Sequence, residues 1–279
     1  VSDTAFKTQY RDEYVAAFEA RETLVRKTVT TEADVRGNTA VFLVAGSGGA
    51  TAVTRGVNGL IPARADDNTQ HSCALQEWHD LVRKTRFNVF ASQGNQRQLM
   101  QETTMAVVNR KIDSDIIGQL EQGTQDTGAA TTMSLDLAVY AKTILGNNSV
   151  PADGNLFALI TPAAEAYLMQ TKEFGSANYT SRMPFDGKGG VFTSFMWAGV
   201  TWIVHPNLTG KGTAAEKCLM YHRDAIGHAI DMETLQTPIG YDEEQDYSWA
   251  RASGFFGSKL LQNIGVVVIN HDGSAYAAQ

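Results

Sequence analysis

The sequence predicts a mixed α+β fold, and three stretches carry the prediction. Residues 156–160 are a compact apolar run, Leu-Phe-Ala-Leu-Ile, that meets Thr161-Pro162 and then strong helix formers from Ala163 to Met169. A threonine hydroxyl can cap a helix, and proline suits the first helical position because its missing N–H would be unpaired there anyway. The pattern reads as a buried strand running straight into a capped helix. Residues 93–122 repeat apolar side chains at steps of three and four, with Met105, Val108, Ile112, Ile116 and Leu120 on one face and Leu99, Val107 and Ile117 widening it. Such a stripe marks an amphipathic helix, here roughly 40–45 Å long at the α-helical rise. Residues 200–204 and 264–270 are β-branched runs, and Gly199 precedes the first of them while Pro206, Asn207 and Gly210 stop it.

The remaining elements follow in chain order. Residues 4–26 read as a helix or helical arm, with Phe6, Tyr10, Tyr14, Ala17 and Phe18 at helical spacing. Residues 39–44 form a strand, and a glycine cluster, residues 46–50, follows it. A phosphate-binding loop would need a lysine after those glycines, and a dinucleotide fingerprint would need them to open a helix. Residues 51–56 continue with β character instead. Residues 46–75 then run long, with weak periodicity, an Asn58-Gly59 turn pair and the polar run 64–70. Residues 74–90 alternate again. Two strands flanking a long, polar-tipped excursion predict an extended β-arm, and a loop of that length within a compact fold is usually functional. Gly123 ends the long helix. Ser134 caps a helix to Leu145 whose inner face is Leu137, Tyr140, Ala141 and Ile144, and residues 175–190 form a polar, glycine-rich loop. Residues 218–221, 225–231 and 255–257 add further β-type segments.

Composition narrows the function. The chain has 279 residues, 43% of them hydrophobic and 19% charged, which suits one large domain or two intimate ones. No apolar run approaches the ~20 residues that span a bilayer, so no membrane contact is expected. The formal net charge of −7 argues against a general nucleic-acid binder, which offsets phosphate with a basic patch. Two cysteines far apart, Cys73 and Cys218, imply free thiols and synthesis in a reducing cytosol. The first residues lack the basic-then-apolar pattern of a secretory leader, and Val1 points to a removed initiator methionine or a processed end.

Three groups invite a chemical reading. His222, Asp224 and His228 are the best acid–base constellation, but two histidines six apart share no helix face, and along one strand they would stand about 20 Å apart. His71, Cys73 and His79 match no standard zinc spacing. Asp242, Glu243, Glu244 and Asp246 read as a solvated acidic loop. Neither a Gly-x-Ser-x-Gly elbow nor a His-Glu-x-x-His helix is present. The sequence therefore offers no positive argument for an enzyme, a cofactor or a metal.

The strand, the Thr161-Pro162 cap and the helix are followed by a long loop and then by Gly199-Val200, Val204, Leu208 and Gly210. This order resembles the central part of the major capsid proteins of tailed bacteriophages, the HK97-like fold. From about residue 36 onward the element order fits that family. The resemblance implies an α+β fold with an N-terminal arm (1–38), an extended-loop region (39–92), a peripheral domain with a spine helix (93–132), an axial domain (133–250) and a return to the peripheral domain (251–279). It implies copies joined as hexamers and pentamers into an icosahedral shell around double-stranded DNA, without sequence-specific contact. Scaffold, portal and decoration proteins are the further partners, and the virion is the location after synthesis in the bacterial cytoplasm. The N-terminal arm and residues 46–75 are expected to become ordered between subunits. Arg55, Arg64, Asp66 and Asp67, with Phe6, Tyr10 and Tyr14, are the candidate contacts between subunits. Some relatives join neighbours covalently through a lysine in the extended loop. This chain has no lysine between Lys27 and Lys84, so that chemistry is excluded here. An encapsulin-like compartment shares the fold and is the alternative; a soluble hydrolase using His222 and Asp224 is the reading from another class.

Overall fold

Two sheets share one long helix. The structure, a computed structural model, describes residues 22–91, 95–175 and 194–276. Its strands are β1 (Thr30–Glu32), β2 (Thr39–Gly46), β3 (Asp67–Ala74), β4 (Gln76–Thr85), β5 (Gln125–Asp126), β6 (Leu156–Ile160), β7 (Ser194–Trp197), β8 (Val200–Val204), β9 (Glu216–His222), β10 (Ile226–Gln236), β11 (Ile239–Asp242), β12 (Tyr247–Leu260) and β13 (Val266–His271). Its helices are α1 (Arg86–Ala91), α2 (Gln96–Leu120), α3 (Leu135–Asn147), α4 (Pro162–Met169) and the single turn α5 (Lys172–Gly175).

The six-stranded sheet runs β5-β13-β9-β6-β8-β7. Its inner strands are apolar almost without interruption because both faces are buried. Alternation sorts their side chains. Leu156, Ala158 and Ile160, with Cys218, Met220, Val267 and Ile269, face α3 and α4. Leu159, Leu219, Tyr221, Val266 and Val268 face the other way, onto Ile112, Ile116, Ile117 and Leu120 of α2 and onto Ile226, Ile230 and Phe256 of the second sheet. Thr161 caps α4 as the sequence predicts, its hydroxyl accepting from Ala164 N at 3.2 Å, with Pro162 at the start of the helix. Ala198 and Gly199 both take positive φ, which closes the β7–β8 hairpin in the two-residue form that matches strand twist.

The second sheet is built on β12. This strand pairs with β4 along one side and with β10 and then β11 along the other, and β1 adds in parallel to β10. Spine helix α2 lies against it. Asn95 caps α2, accepting from Gln98 N at 3.3 Å. Its 25 residues span about 37 Å, a little shorter than the sequence estimate.

Several expectations need correction. Residues 86–90, read as strand, are helix α1. The strand stops at Thr85 because its partner β12 begins at the paired Tyr247, and Thr85 then accepts from Asn88 N at 3.3 Å to start the turn. Residues 51–56 form no strand, whereas the polar run 64–70 enters one at Asp67. Val107 and Tyr140, placed on inner faces, are exposed; Met100, Ala106, Ala138 and Leu145 are buried instead. Residues 226–242 pair with β12 in the five-stranded sheet, and β13 joins the six-stranded one. Of the proposed helix 4–26, residues 4–21 lie outside the described residues, and the remainder leads into a single 3-10 turn at Arg26–Thr28. The loop at 175–190 lies outside them as well, apart from Gly175 in α5.

Candidate assembly interface

Among the described residues, the β2–β3 hairpin carries the largest group of exposed apolar side chains. Its ladder runs antiparallel from Thr39↔Ala74 to Gly46↔Asp67, and Leu75 N donates to Asn38 O at 2.8 Å across the root. At the root, Ala40 and Cys73 are buried against Ala229, with Val35, Phe42 and Leu75 packed around them. Beyond the root the hairpin leaves the body. Val41 and Leu43 on β2, and Val53, Val57, Leu60 and Ile61 in the loop 47–66, are all exposed, Leu43 at 73% and Val57 fully. Scattered exposed hydrophobics are ordinary; several on one arm make it the candidate interaction surface.

The loop nonetheless has local order. Gly56 N donates to Leu60 O at 2.9 Å and Gly59 N to Gly56 O at 2.8 Å. Arg55 closes this turn by donating to Gly59 O at 3.1 Å. Arg64 and Asp66 form an exposed ion pair at 3.0 Å, of the kind that contributes little stability alone. Asp67 opens β3 opposite Gly46. The structure therefore brings four of the candidate contact residues, Arg55, Arg64, Asp66 and Asp67, onto one arm. Phe6, Tyr10 and Tyr14 lie outside the described residues. The apolar residues Val53, Val57, Leu60 and Ile61 escaped sequence reasoning. Their signal was apolar side chains in a turn-rich stretch that offers them no periodic partner.

The chemically suggestive groups are each held by neighbouring groups of the fold. His222 ends β9, with Nε2 3.1 Å from Asp153 Oδ1 and Nδ1 accepting from Asp224 N at 3.2 Å. Hydrogen bonds from Asn155, reinforced by His222, hold the Asp153 carboxyl down at about 2. His228 sits apart on β10, its Nδ1 3.0 Å from Ser258 Oγ, and burial with nearby Arg26 lowers it to about 4. The two histidines lie on different strands and share no partner. His79 contacts Glu77 at 2.8 Å and Ser253 at 2.9 Å. Burial pushes the Cys73 thiol up to about 11 and that of Cys218 to about 12, so neither is a ready nucleophile. Among the described residues, no three His, Cys, Asp or Glu side chains gather as metal ligands would. The acidic group at Asp242 is a hairpin turn, Asp242 Oδ1 accepting from Glu244 N at 3.0 Å and Gln245 N at 3.1 Å.

Two buried carboxylates do pin the body together. Asp113, on the inner face of α2, accepts from Leu24 N at 3.1 Å and Val25 N at 3.4 Å and lies 3.4 Å from His205 Nε2. It ties the incoming chain to the spine helix. Glu216 accepts from Thr161 Oγ1 at 2.5 Å and Gly212 N at 2.6 Å, with His271 at 3.7 Å. It joins β9, the start of α4 and the end of β13. Sequence reasoning missed both. For Asp113 the one available signal was its place beside Ile112 on the apolar face of the helix; Glu216, between Ala215 and Lys217, offered none.

Comparison with known proteins agrees with this architecture. The model of the phage capsid protein family matches residues 2–273. Among solved structures, one of Mycobacterium phage Che8 superposes with a TM-score of 0.76 at 16% identity, covering 97% of this chain and 98% of that one. The capsid asymmetric unit of cyanophage Pam1 gives 0.75 at 12% identity, covering 98% of each chain. The capsid of a native GTA particle gives 0.67 at 11% identity, with 96% of each covered. At such identities these likenesses speak to the fold. No curated protein matches the sequence. With the family model spanning nearly the whole chain and an α+β fold shared with capsid structures, the chain belongs to the phage capsid protein family: it is a shell-forming structural protein of the virion with an HK97-like fold, and not an enzyme.

Proposed function

We propose that the protein assembles as hexamers and pentamers into an icosahedral head shell that encloses double-stranded DNA without sequence-specific contact. Scaffold, portal and decoration proteins are its further partners, and the host cytoplasm is where it is made. In this reading α2 with the five-stranded sheet is the peripheral part of the subunit. The six-stranded sheet with α3 and α4 is the axial part, and β2–β3 is the extended arm.

The observation that carries the proposal is the arm. Val57, Leu60 and Ile61 face water in the single chain. Seating each against a neighbour would contribute about 1.5–3 kcal/mol. Repeated around every capsomer, contacts that are weak singly become collectively strong. Arg55, Arg64, Asp66 and Asp67 supply the polar rim of that contact. With no lysine between Lys27 and Lys84, cohesion through this loop is non-covalent. The net charge of −7 keeps packaged DNA from adhering to the wall.

The test is the triple substitution Val57→Ser, Leu60→Ser, Ile61→Ser. These residues are exposed, so the subunit is expected to melt at the wild-type temperature while sedimentation shows shells replaced by free subunits or capsomers. Shells at wild-type yield would remove the arm from the assembly mechanism.

A further inference from the structure

The root of the arm crosses the five-stranded sheet over three small residues. Ala229 and Gly257 are directly paired across β10 and β12, and Gly227 stands two residues from Ala229 on the same face. Neither glycine takes a positive φ. Their backbone conformation would admit a side chain, so close approach accounts for them. At Gly257 a Cβ would fall far closer to the Ala74 carbonyl oxygen than real contacts allow, and 3.3 Å from Cys73 Sγ. At Gly227 it would fall 2.9 Å from the Phe42 ring. Ala74 ends β3, Phe42 belongs to β2, and Ala229 packs against Ala40 and Cys73. Both strands of the arm therefore rest on this pad.

We propose that the pad formed by Gly227, Ala229 and Gly257 sets the angle at which the arm leaves the body, and thereby the curvature of the shell. The inference rests on the reading that the arm contacts neighbours. Its physical basis is leverage. The strands of the arm are eight residues long, about 25 Å at the β rise, with the loop 47–66 beyond them. A methyl at Gly257 would force the Ala74 carbonyl to withdraw by something on the order of an ångström. Packed strands and a backbone carbonyl do not absorb that by rotating a side chain. The pivot is short and the arm is long, so the tip moves several times farther than the root.

Gly257→Ala is the direct test, with Gly254→Ala as control. Gly254 is on the same strand, but the atoms nearest its added methyl would be in the side chains of Leu235 and Phe256, neither of them in the arm. The readouts are thermal melting of unassembled subunits and the diameter distribution of assembled particles by electron microscopy. Gly257→Ala is expected to give folded subunits whose particles are mis-sized or open, and Gly254→Ala to give particles of native diameter. Should Gly257→Ala fail to fold, Gly227→Ala takes its place with a compensating partner. Alone it should shift the diameters, and combined with Phe42→Leu, which clears the ring, it should restore them. Native diameters for folded Gly257→Ala, or for Gly227→Ala alone, would overturn the proposal. So would a failure of Phe42→Leu to rescue a shifted Gly227→Ala. The serine triple variant keeps the two ideas apart. If it disrupts shells while the glycine variants do not, the arm reading stands and the pad inference falls. If it leaves shells intact, the arm reading itself has failed.

Discussion

His228 shows what burial does to a single titratable residue. It is inaccessible to solvent, held by Ser258, and its proton affinity is depressed from 6.5 to about 4, by burial first and by Arg26 second. Above pH 6.5 it is neutral in both folded and unfolded chains. Between 6.5 and about 4 the unfolded chain takes up a proton that the folded chain refuses, so stability falls as pH falls, by about 3 kcal/mol in all. Asp115, whose carboxyl burial raises, acts in the opposite sense. Urea titrations of unassembled subunits from pH 7.5 to 4 should show this slope, and His228→Gln should flatten it; an unchanged slope in the variant would assign the pH dependence to other groups. The burial of His228 was not legible in the sequence, because its partners Ser258 and Arg26 are brought to it only by the sheet and the 3-10 turn before β1. Thr161 was legible, because a cap acts within three residues of its own position.

At the scale of elements, a helix announces itself when one face is buried along its length. On α2, Ile112 and Ile116 are wholly buried and Val107 is 39% exposed. Ile116→Ala should cost about 2–5 kcal/mol through the lost contacts and the cavity left behind, whereas Val107→Ser should cost under about 1 kcal/mol. Chemical denaturation of both variants checks the difference, and equal losses would mean that the buried face is wrongly assigned. Val107 misled because periodicity gives the stripe but not its edges. Strand β3 was illegible for a different reason. Its sequence, Asp-Asn-Thr-Gln-His-Ser-Cys-Ala, is exposed along nearly its whole length, so no alternation of buried and exposed residues marks it. Its partner β2 supplies the order. Helix α1 was hidden because the signal for ending β4 lies in β12, more than a hundred residues away. The arm's existence could therefore be read from length and turn residues, but not its strand limits. Its charged candidates were visible by type, while its apolar contacts became evident only once the body was seen to leave them uncovered.

For the whole molecule, the described surfaces divide by their state in a single chain. The two cores are closed, with Trp202, Tyr221 and Phe256 fully buried, and Asp113 and Glu216 fasten elements distant in sequence. The arm is the part left unfinished: two strands, a seat of small residues and an apolar tip. An unfinished arm on a well-packed body is what a shell subunit requires, since the body must fold before assembly and the arm must find its partner during it. The central claim is that many copies of this chain close upon one another. Electron microscopy of the purified protein, expressed alone and with any co-expressed scaffold protein, tests it most directly. The account predicts closed particles whose capsomers show five-fold and six-fold symmetry. Uniform monomers or dimers at every concentration, in both preparations, would contradict it.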